Sequence, residues 1–306
     1  MRLWCVSILL AAGSLSGAGQ IHITSTQALP LPAEQFWTAP GWAPDGQAFL
    51  VTSSHYRGLW RYDLRKGSLT QITDDAGAGF GWAVSANGSL VAYRKTVAGP
   101  RPGDRTQEIV RVDLGTGSAA RMTGGISVDN PVFSGDALLV NDSRQGYVVL
   151  GNEEPAAGTV ALLGVENTKI ALLRNGRKIL LDPFGDGSYI WPSLSPDGKR
   201  LLAYDMVRGA FVCDLQGNIL ARLGRLDAPV WTRSGAWIIS MRERNDGHVI
   251  TGSDLYATSP DGTRKIRLTD TPVIELAPSC SPVDNRILCS TADGSLLMLT
   301  YEEVGQ

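Results

Sequence analysis

Short apolar runs alternate with turn residues along the whole chain, and one arrangement of the two recurs several times. Its clearest copy is WPSLSPDGKRLLAY, residues 191–204, which reads as a strand, a tight turn and a second strand. Pro196 fixes its own φ, while Asp197 and Gly198 supply the side-chain acceptor and the permissive backbone that a chain reversal needs. The apolar run Leu201 to Tyr204 then predicts a mostly buried strand. One hairpin cannot bury its apolar face alone, so the copies must pack against one another.

Each copy continues into a second hairpin, as in YDLRKGSLTQIT at 62–73 and VDLGTGSAARMT at 112–123. The copies lie about 40 to 60 residues apart, a spacing that is typical of four-stranded propeller blades. The residues that precede the first turn of each copy are Ala43, Ser85, Ser134, Ser195, Thr232 and Ser281. These six copies predict an all-β protein: a six-bladed β-propeller of four-stranded antiparallel blades.

The widest interval between copies, residues 135–190, contains additional strand-like runs: GYVVLG, TVALLGV and KIALLRNGRKILLDP. These runs fit either an inserted hairpin or a degenerate seventh blade. None of them opens with the Trp- or Phe-bearing strand of the other copies, which favours the insertion.

The segment QIHITSTQ, residues 20–27, alternates apolar and polar residues but has no neighbouring strand to pair with. At the other end, the chain after Ser281 has room for only three strands of the last blade, counting the one that contains Cys280. We therefore expect the N-terminal strand to complete that blade and close the ring, which would remove free sheet edges.

Residues 1–18 have the pattern of a secretory signal peptide, with Arg2, an apolar run from Leu3 to Ala12, and the small residues Ser16-Gly17-Ala18. An apolar run of about ten residues is too short to span a bilayer. The sequence thus predicts a signal peptide at 1–18, a propeller domain at 19–306, and a periplasmic or secreted mature chain without a transmembrane segment.

The phrases APDG, SANG and SPDG, followed by YDL, VDL or CDL and a closing Leu-Thr or Ile-Thr, resemble the repeat of TolB-like six-bladed β-propellers, also described as a WD40-like repeat. The resemblance covers about residues 37–306. It implies a periplasmic propeller that binds protein partners of the cell envelope. Related propellers accompany the hydrolase domains of prolyl-oligopeptidase-like peptidases or form oligogalacturonate lyases.

Composition and motifs point away from several kinds of chemistry. The formal net charge of -2 gives no reason to expect nucleic acid or an anionic membrane surface as a partner. The three histidines are not spaced as a metal pair, and no Gly-x-Ser-x-Gly motif occurs. We therefore predict no catalytic residues, no metal and no cofactor. A lyase or hydrolase acting on carbohydrate through carboxylates in the channel is the alternative.

Polar residues follow the second strand of each copy, where the loops of a propeller converge on one face around the channel. Guanidinium groups gathered there would favour an envelope protein or an acidic small ligand. The candidate ligand-binding residues are His55, Arg57, Arg94, Lys95, Asn141, Arg144, Asp205, Arg208, Arg242 and Arg244. The pattern favours a monomeric binding module over an enzyme. An envelope protein without a discrete site is a third possibility.

The remaining repeated residues fit structural roles. Three aspartates in Asp-Gly or Pro-Asp-Gly turns and three in the Asp-Leu phrases are expected to hold turns; they are Asp45, Asp197, Asp261, Asp63, Asp113 and Asp214. The tryptophans Trp42, Trp82, Trp191 and Trp231 are expected to pack between blades.

Cys280 and Cys289 flank a turn and would face each other if the hairpin were centred near Asp284. An exported protein could oxidise them to a cross-strand disulfide. Two small thiols in the core are the other interpretation.

Overall fold

The computed structural model describes residues 19–101, 104–125, 128–142, 146–151, 153–156 and 158–305. Within these ranges the protein consists of 26 strands and one 3-10 turn, Ser54–Tyr56, without an α-helix. The strands form seven antiparallel sheets, which are the blades of a propeller. The all-β propeller is therefore observed, but the prediction of six blades was wrong.

Five blades have four strands each. Blade 1 contains β2 (Trp37–Trp42), β3 (Ala48–Ser53), β4 (Leu59–Asp63) and β5 (Ser68–Thr73). Blade 2 contains β6 (Trp82–Val84), β7 (Leu90–Ala98), β8 (Arg105–Asp113) and β9 (Ala119–Gly125). Blade 5 contains β16 (Tyr189–Leu194), β17 (Arg200–Asp205), β18 (Gly209–Asp214) and β19 (Ile219–Gly224). Blade 6 contains β20 (Asp227–Trp231), β21 (Ile238–Asn245), β22 (Ile250–Thr258) and β23 (Lys265–Arg267). Blade 7 contains β24 (Glu275–Cys280), β25 (Arg286–Thr291), β26 (Leu296–Val304) and β1 (Gln20–Ala28).

Within the described residues, blades 3 and 4 have three strands each. Blade 3 contains β10 (Val132–Ser134), β11 (Ala137–Asp142) and β12 (Gly146–Leu150). Blade 4 contains β13 (Val160–Glu166), β14 (Lys169–Arg174) and β15 (Arg177–Leu181).

Blade 4 is the blade that the repeat count missed. Its strands are joined by the two-residue turns Asn167-Thr168 and Asn175-Gly176, in which all four residues have positive φ. Such turns match the twist of a hairpin without the Pro-Asp-Gly sequence. The segment interpreted as an insertion thus contains β11 and β12 of blade 3 and all of blade 4, the blade that raises the count from six to seven.

Seven clusters of buried apolar side chains hold the ring together, one at each interface between neighbouring blades. Between blades 1 and 2, for example, Leu50 packs with Tyr93, and between blades 7 and 1 Leu288 packs with Phe49. Because every blade buries both faces against its neighbours, no blade is expected to be stable alone.

The N-terminal strand closes the ring as predicted. β1 pairs antiparallel with β26, from Gln20 opposite Val304 to Ala28 opposite Leu297. Ile21, which is 2% exposed, packs into the cluster between blades 6 and 7. The two ends of the described chain are therefore joined within a single sheet.

Strand direction sorts the loops into two groups. In an antiparallel blade, the loop between the second and third strands lies at the same end of the ring as the segment leading to the next blade. We call this end the linker face. The opposite end, which carries the turns between the first and second strands, is the turn face. No helix in the described part of the chain is long and apolar enough to cross a membrane.

Candidate functional site

Four innermost strands carry the same bulge at a residue followed by proline. The bulges lie at Ala39-Pro40, Trp191-Pro192, Ala228-Pro229 and Ala277-Pro278, where the strand pairing shifts register. The residue before each proline has φ between 46° and 51°. A left-handed conformation costs an L-residue about 1–2 kcal/mol, and three of the four blades place a small alanine there. The sequence contains the repeated x-Pro step, and this signal could have located the innermost strands.

Trp191 is the exception among these bulges, because a large aromatic side chain occupies the strained position. Its side chain is 47% exposed and touches Tyr204 edge-on, with ring centroids 5.7 Å apart. By contrast, Trp231 is buried, and Trp42 donates its indole N–H to the Ser279 carbonyl at 2.9 Å. The prediction that Trp191 packs in the core was therefore wrong. A strained, exposed aromatic residue on an innermost strand is a candidate for function.

Exposed apolar side chains are concentrated at the linker face. Among the described residues, seven of the twelve exposed large hydrophobic side chains lie in linker-face loops, and an eighth, Trp191, lies on the innermost strand β16. We call these eight residues the apolar arc: Phe36, Tyr56, Phe80, Trp191, Met206, Val207, Val249 and Val273. They belong to blades 5, 6 and 1 and to the linkers before blade 7, before blade 1 and after blade 1, so they follow one side of the ring.

Local structure fixes several members of the apolar arc. The 3-10 turn after β3 holds His55 and Tyr56 at φ 60° and 56°, and the Tyr56 ring meets the Phe80 ring edge-on at 5.3 Å. Near Trp191, the backbone N–H of Met206 donates to the Ser188 carbonyl at 2.9 Å. This bond holds the Met206–Val207 loop over the end of the strand that carries Trp191.

The described basic residues of the predicted set also lie at the linker face, but carboxylates neutralise most of them. Arg57 lies 3.9 Å from Asp74, and Lys95 lies 3.8 Å from Asp75 and 3.6 Å from Glu108. Further along the ring, Arg208 is 2.7 Å from Asp186, and Arg244 is 2.6 Å from Asp254. Paired in this way, these cations do not form the ring of available guanidinium groups that the sequence suggested.

Other members of the predicted set have structural partners. Arg94 donates to the Val128 carbonyl at 3.1 Å and lies 5.5 Å above the Phe80 ring, where burial lowers its pKa. Asn141 donates to Asp129 at 2.8 Å and accepts a bond from Lys178. Both side chains therefore stabilise the loops that carry them.

Asp205 is fully buried and holds the loop after β17. Its carboxylate accepts backbone N–H bonds from Ser188, Val207 and Arg208 at 2.8–3.1 Å. Burial opposes ionisation, but these donors outweigh it and keep the pKa of Asp205 below its ordinary value. Arg144 lies outside the described residues. Arg242 lies over the Tyr256 ring at 5.9 Å and has no ion pair within the described ranges.

The repeated aspartates hold turns, as predicted. Asp197 accepts the Ser195 hydroxyl and the Lys199 N–H, and Asp63 accepts the N–H groups of Arg65 and Lys66. These bonds account for the recurrence of aspartate without a ligand. In the described part of the chain, no group of three or more His, Cys, Asp or Glu side chains could hold a metal ion.

The cysteines do not face each other as the predicted hairpin required. The hairpin is centred between Val283 and Asp284, one position earlier than a Cys280–Cys289 pair requires, so that Cys280 lies opposite Ile287 and Cys289 lies beside Leu297. Cys280 and Cys289 are free thiols in the cluster between blades 6 and 7.

Comparison with solved structures places the chain among β-propellers. The β-propeller domain of Cps50 (Swd1) from Myceliophteria thermophila matches with a TM-score of 0.63 at 10% identity, covering 90% of this chain and 99% of that one. Oligogalacturonate lyase from Vibrio parahaemolyticus matches with a TM-score of 0.50 at 12% identity, over 86% and 76% of the two chains. TolB from Acinetobacter baumannii matches with a TM-score of 0.47 at 19% identity and covers 88% of this chain.

The chain spans 55% of the TolB structure and 76% of the lyase. No protein-family model and no curated protein matches the sequence. At these identities the likeness concerns the fold alone. The chain is a seven-bladed β-propeller, similar in fold to the β-propeller domain of Cps50 (Swd1).

Proposed function

We propose that this chain is an exported binding protein of the cell envelope, and that it holds a partner protein on its linker face through the apolar arc. The observation that carries the proposal is the distribution of exposed hydrophobic side chains. Single exposed hydrophobic residues are normal on any surface. Here, however, seven of the twelve large ones in the described chain lie in linker-face loops on one side of the ring, and an eighth, Trp191, lies on an innermost strand of the same side. Such concentrations mark interaction surfaces.

The composition of the apolar arc supports a protein partner rather than a small ligand. It includes Trp191, Tyr56 and Phe80, the aromatic types that dominate binding energy in protein interfaces. Its members extend from blade 5 past blade 7 to the linker after blade 1, which is more surface than a small molecule covers. The ion pairs beside them, such as Arg208 with Asp186, fit the polar rim that surrounds an interface core.

Export to the envelope rests on residues 1–18, which lie outside the described residues. We propose that they are removed at the small residues Ser16-Gly17-Ala18. Fractionation of native cells, followed by sequencing of the protein's N-terminus, tests this step. The expected result is a chain in the envelope fraction that begins at Gly19, whereas an intact Met1 in the cytosol would contradict export.

The binding proposal is tested by capturing envelope proteins with a linker-face variant and a matched control. The variant Tyr56→Ser/Phe80→Ser removes the paired aromatic rings of the apolar arc. The control Leu220→Ser/Val283→Ser removes two comparably exposed apolar side chains from an outer strand and from the turn face. Thermal unfolding first establishes that both variants are folded.

We expect at least one envelope protein that the unmodified chain and the control both retain. The linker-face variant should bind it at least about thirtyfold less tightly, the loss typical of an interface hot spot. Equal capture by both variants would overturn the assignment of the linker face.

A further inference from the structure

Three basic side chains surround a crevice between blades 5 and 6, which we call the basic crevice. Arg225 follows the last strand of blade 5, while Arg242 lies on β21 and Lys265 on β23 of blade 6. Together with Leu223 and Glu243 they line a cavity of about 370 Å³. The basic crevice is separate from the apolar arc, and of its three cations only Arg242 belongs to the predicted set.

Arg242 and Lys265 approach the same aromatic ring from different strands. The Arg242 guanidinium lies 5.9 Å and the Lys265 ammonium 5.5 Å from the centre of the Tyr256 ring. The ring stabilises a nearby cation electrostatically, but it does not neutralise two. Within the described ranges, neither side chain forms an ion pair with a carboxylate.

The nearby carboxylates are already engaged by other cations. Asp254, directly opposite Arg242 in the sheet, binds Arg244 at 2.6 Å and Arg267 at 2.8 Å. Asp227 lies 3.4 Å from Arg225. This leaves Arg242 and Lys265 as neighbouring positive charges whose closest acidic groups are committed elsewhere.

Glu243 is the remaining acid on the cavity wall. It follows Arg242 in β21, and successive strand residues project to opposite faces of the sheet, so the Glu243 side chain projects away from the Arg242 guanidinium.

The mutual repulsion of the two cations is reflected in the pKa of Lys265. This pKa is lowered first by burial and then by the charge of Arg242, while Asp227 opposes both.

We propose that the basic crevice is an oxyanion site that binds a phosphate or sulfate group. The Arg242 guanidinium supplies a fork of donors and the Lys265 ammonium adds a compact charge. Arg225, which contacts Asp227 through Nε, adds its two terminal NH2 groups. A tetrahedral anion offers oxygens in several directions, so donors from β21, β23 and the end of blade 5 can each reach one. Occupation would also relieve the repulsion between Arg242 and Lys265.

Isothermal titration calorimetry of the mature chain in a chloride-free buffer of low ionic strength tests the proposal. The titrants are inorganic phosphate, inorganic sulfate and glycerol 3-phosphate, with acetate as a monoanion for comparison. We expect saturable binding at one site, weaker for acetate and weakened by added salt because the site is open to solvent. Tighter binding of glycerol 3-phosphate than of inorganic phosphate would identify an organic phosphate as the ligand class.

The variant Arg242→Gln/Lys265→Gln is expected to lose at least about tenfold in affinity for phosphate, since charge-assisted bonds are the strong ones. The charge-preserving variant Arg242→Lys/Lys265→Arg should keep most of the affinity, and Arg65→Gln, on a distant turn of blade 1, should keep all of it. Removing two repelling charges should not lower the melting temperature. Absence of saturable phosphate and sulfate binding, or equal affinity in the double glutamine variant, would overturn the proposal and leave the partner-binding proposal unaffected.

Discussion

Ile23 of β1 lies opposite Tyr301 of β26, so the first described strand of the chain completes the sheet that contains the last. The pairing continues along both strands and interlocks the ends of the ring. Tyr301 is 1% exposed and packs with Ile21, Trp237 and Leu299 between blades 6 and 7. Ring closure is therefore a buried apolar contact as well as a ladder of hydrogen bonds.

Deletion of residues 20–27 is expected to lower the melting temperature sharply, because it exposes an edge of β26 and part of this cluster. A finer test is Ile21→Ala, which should reduce the free energy of unfolding by about 2–4 kcal/mol, as for other buried isoleucines. His22→Ala, on the exposed side of the same strand, is the matched control. Urea unfolding measures both variants, and equal stability of the two would contradict closure through β1.

Acid should weaken the propeller through its turn aspartates. In the third-to-fourth-strand turn of blade 6, Asp261 accepts the Ser259 hydroxyl and the Thr263 N–H, in that order of importance, and these bonds lower its pKa to about 2. An unfolded aspartate has a pKa of about 3.9. The stabilisation is therefore complete above about pH 4 and is lost as the pH falls towards 2.

Asp261→Asn keeps the acceptor oxygen but removes the titration. The unmodified chain should melt at a higher temperature than the variant at pH 7, and this difference should shrink towards pH 2. The reason is that only the unmodified chain loses a charge-assisted bond on acidification. Melting curves at half-unit steps of pH measure this. If the two chains lost stability in parallel between pH 4 and pH 2, the Asp261 carboxylate would not contribute to acid sensitivity.

The repeated hairpin predicted the propeller and its closure because both depend on local turn chemistry that recurs. The count of blades failed where that chemistry changes: blade 4 turns at Asn167-Thr168 and Asn175-Gly176, without proline or an aromatic opening strand. A two-residue turn of this type needs only positive φ, so it carries no signature of the family repeat.

The candidate site was harder to predict, because it depends on contacts between residues far apart in the chain. The sequence placed the basic residues at the linker face but could not show that Asp186 neutralises Arg208, or that Lys265 joins Arg242. Trp191 was misassigned because it was grouped with the other tryptophans of the repeats, although it does not occupy the same position. Trp231 lies one residue before its turn residue, Thr232, whereas Trp191 lies well before Ser195.

The described cysteines are expected to be free and unreactive in the native protein. Burial raises the pKa of Cys213 to about 12 and raises that of Cys280 and Cys289 as well. Since the thiolate is the reactive form, Ellman's reagent at pH 8 should label none of the three until urea is added. Two fewer reactive thiols in the unreduced, denatured chain would instead demonstrate a disulfide between Cys280 and Cys289.

Trp191→Ala separates stability from binding at the strained bulge. The substitution loses the edge contact with Tyr204, a contact of about 1 kcal/mol, and leaves the residue type that blades 1, 6 and 7 carry at the same bulge. The Trp191 side chain is largely exposed, so little buried surface is lost. We therefore expect the free energy of unfolding to change by no more than about 1 kcal/mol, while binding of the captured envelope partner weakens.

Trp237→Ala is the matched control for Trp191→Ala, because Trp237 is 1% exposed in the cluster between blades 6 and 7. Its loss should cost about 3–5 kcal/mol, the usual penalty for removing a buried tryptophan. Urea unfolding and partner capture on both variants give the comparison. If Trp191→Ala were as destabilising as Trp237→Ala, the exposed tryptophan would have a packing role. If instead it were stable and bound the partner normally, Trp191 would lie outside the interface.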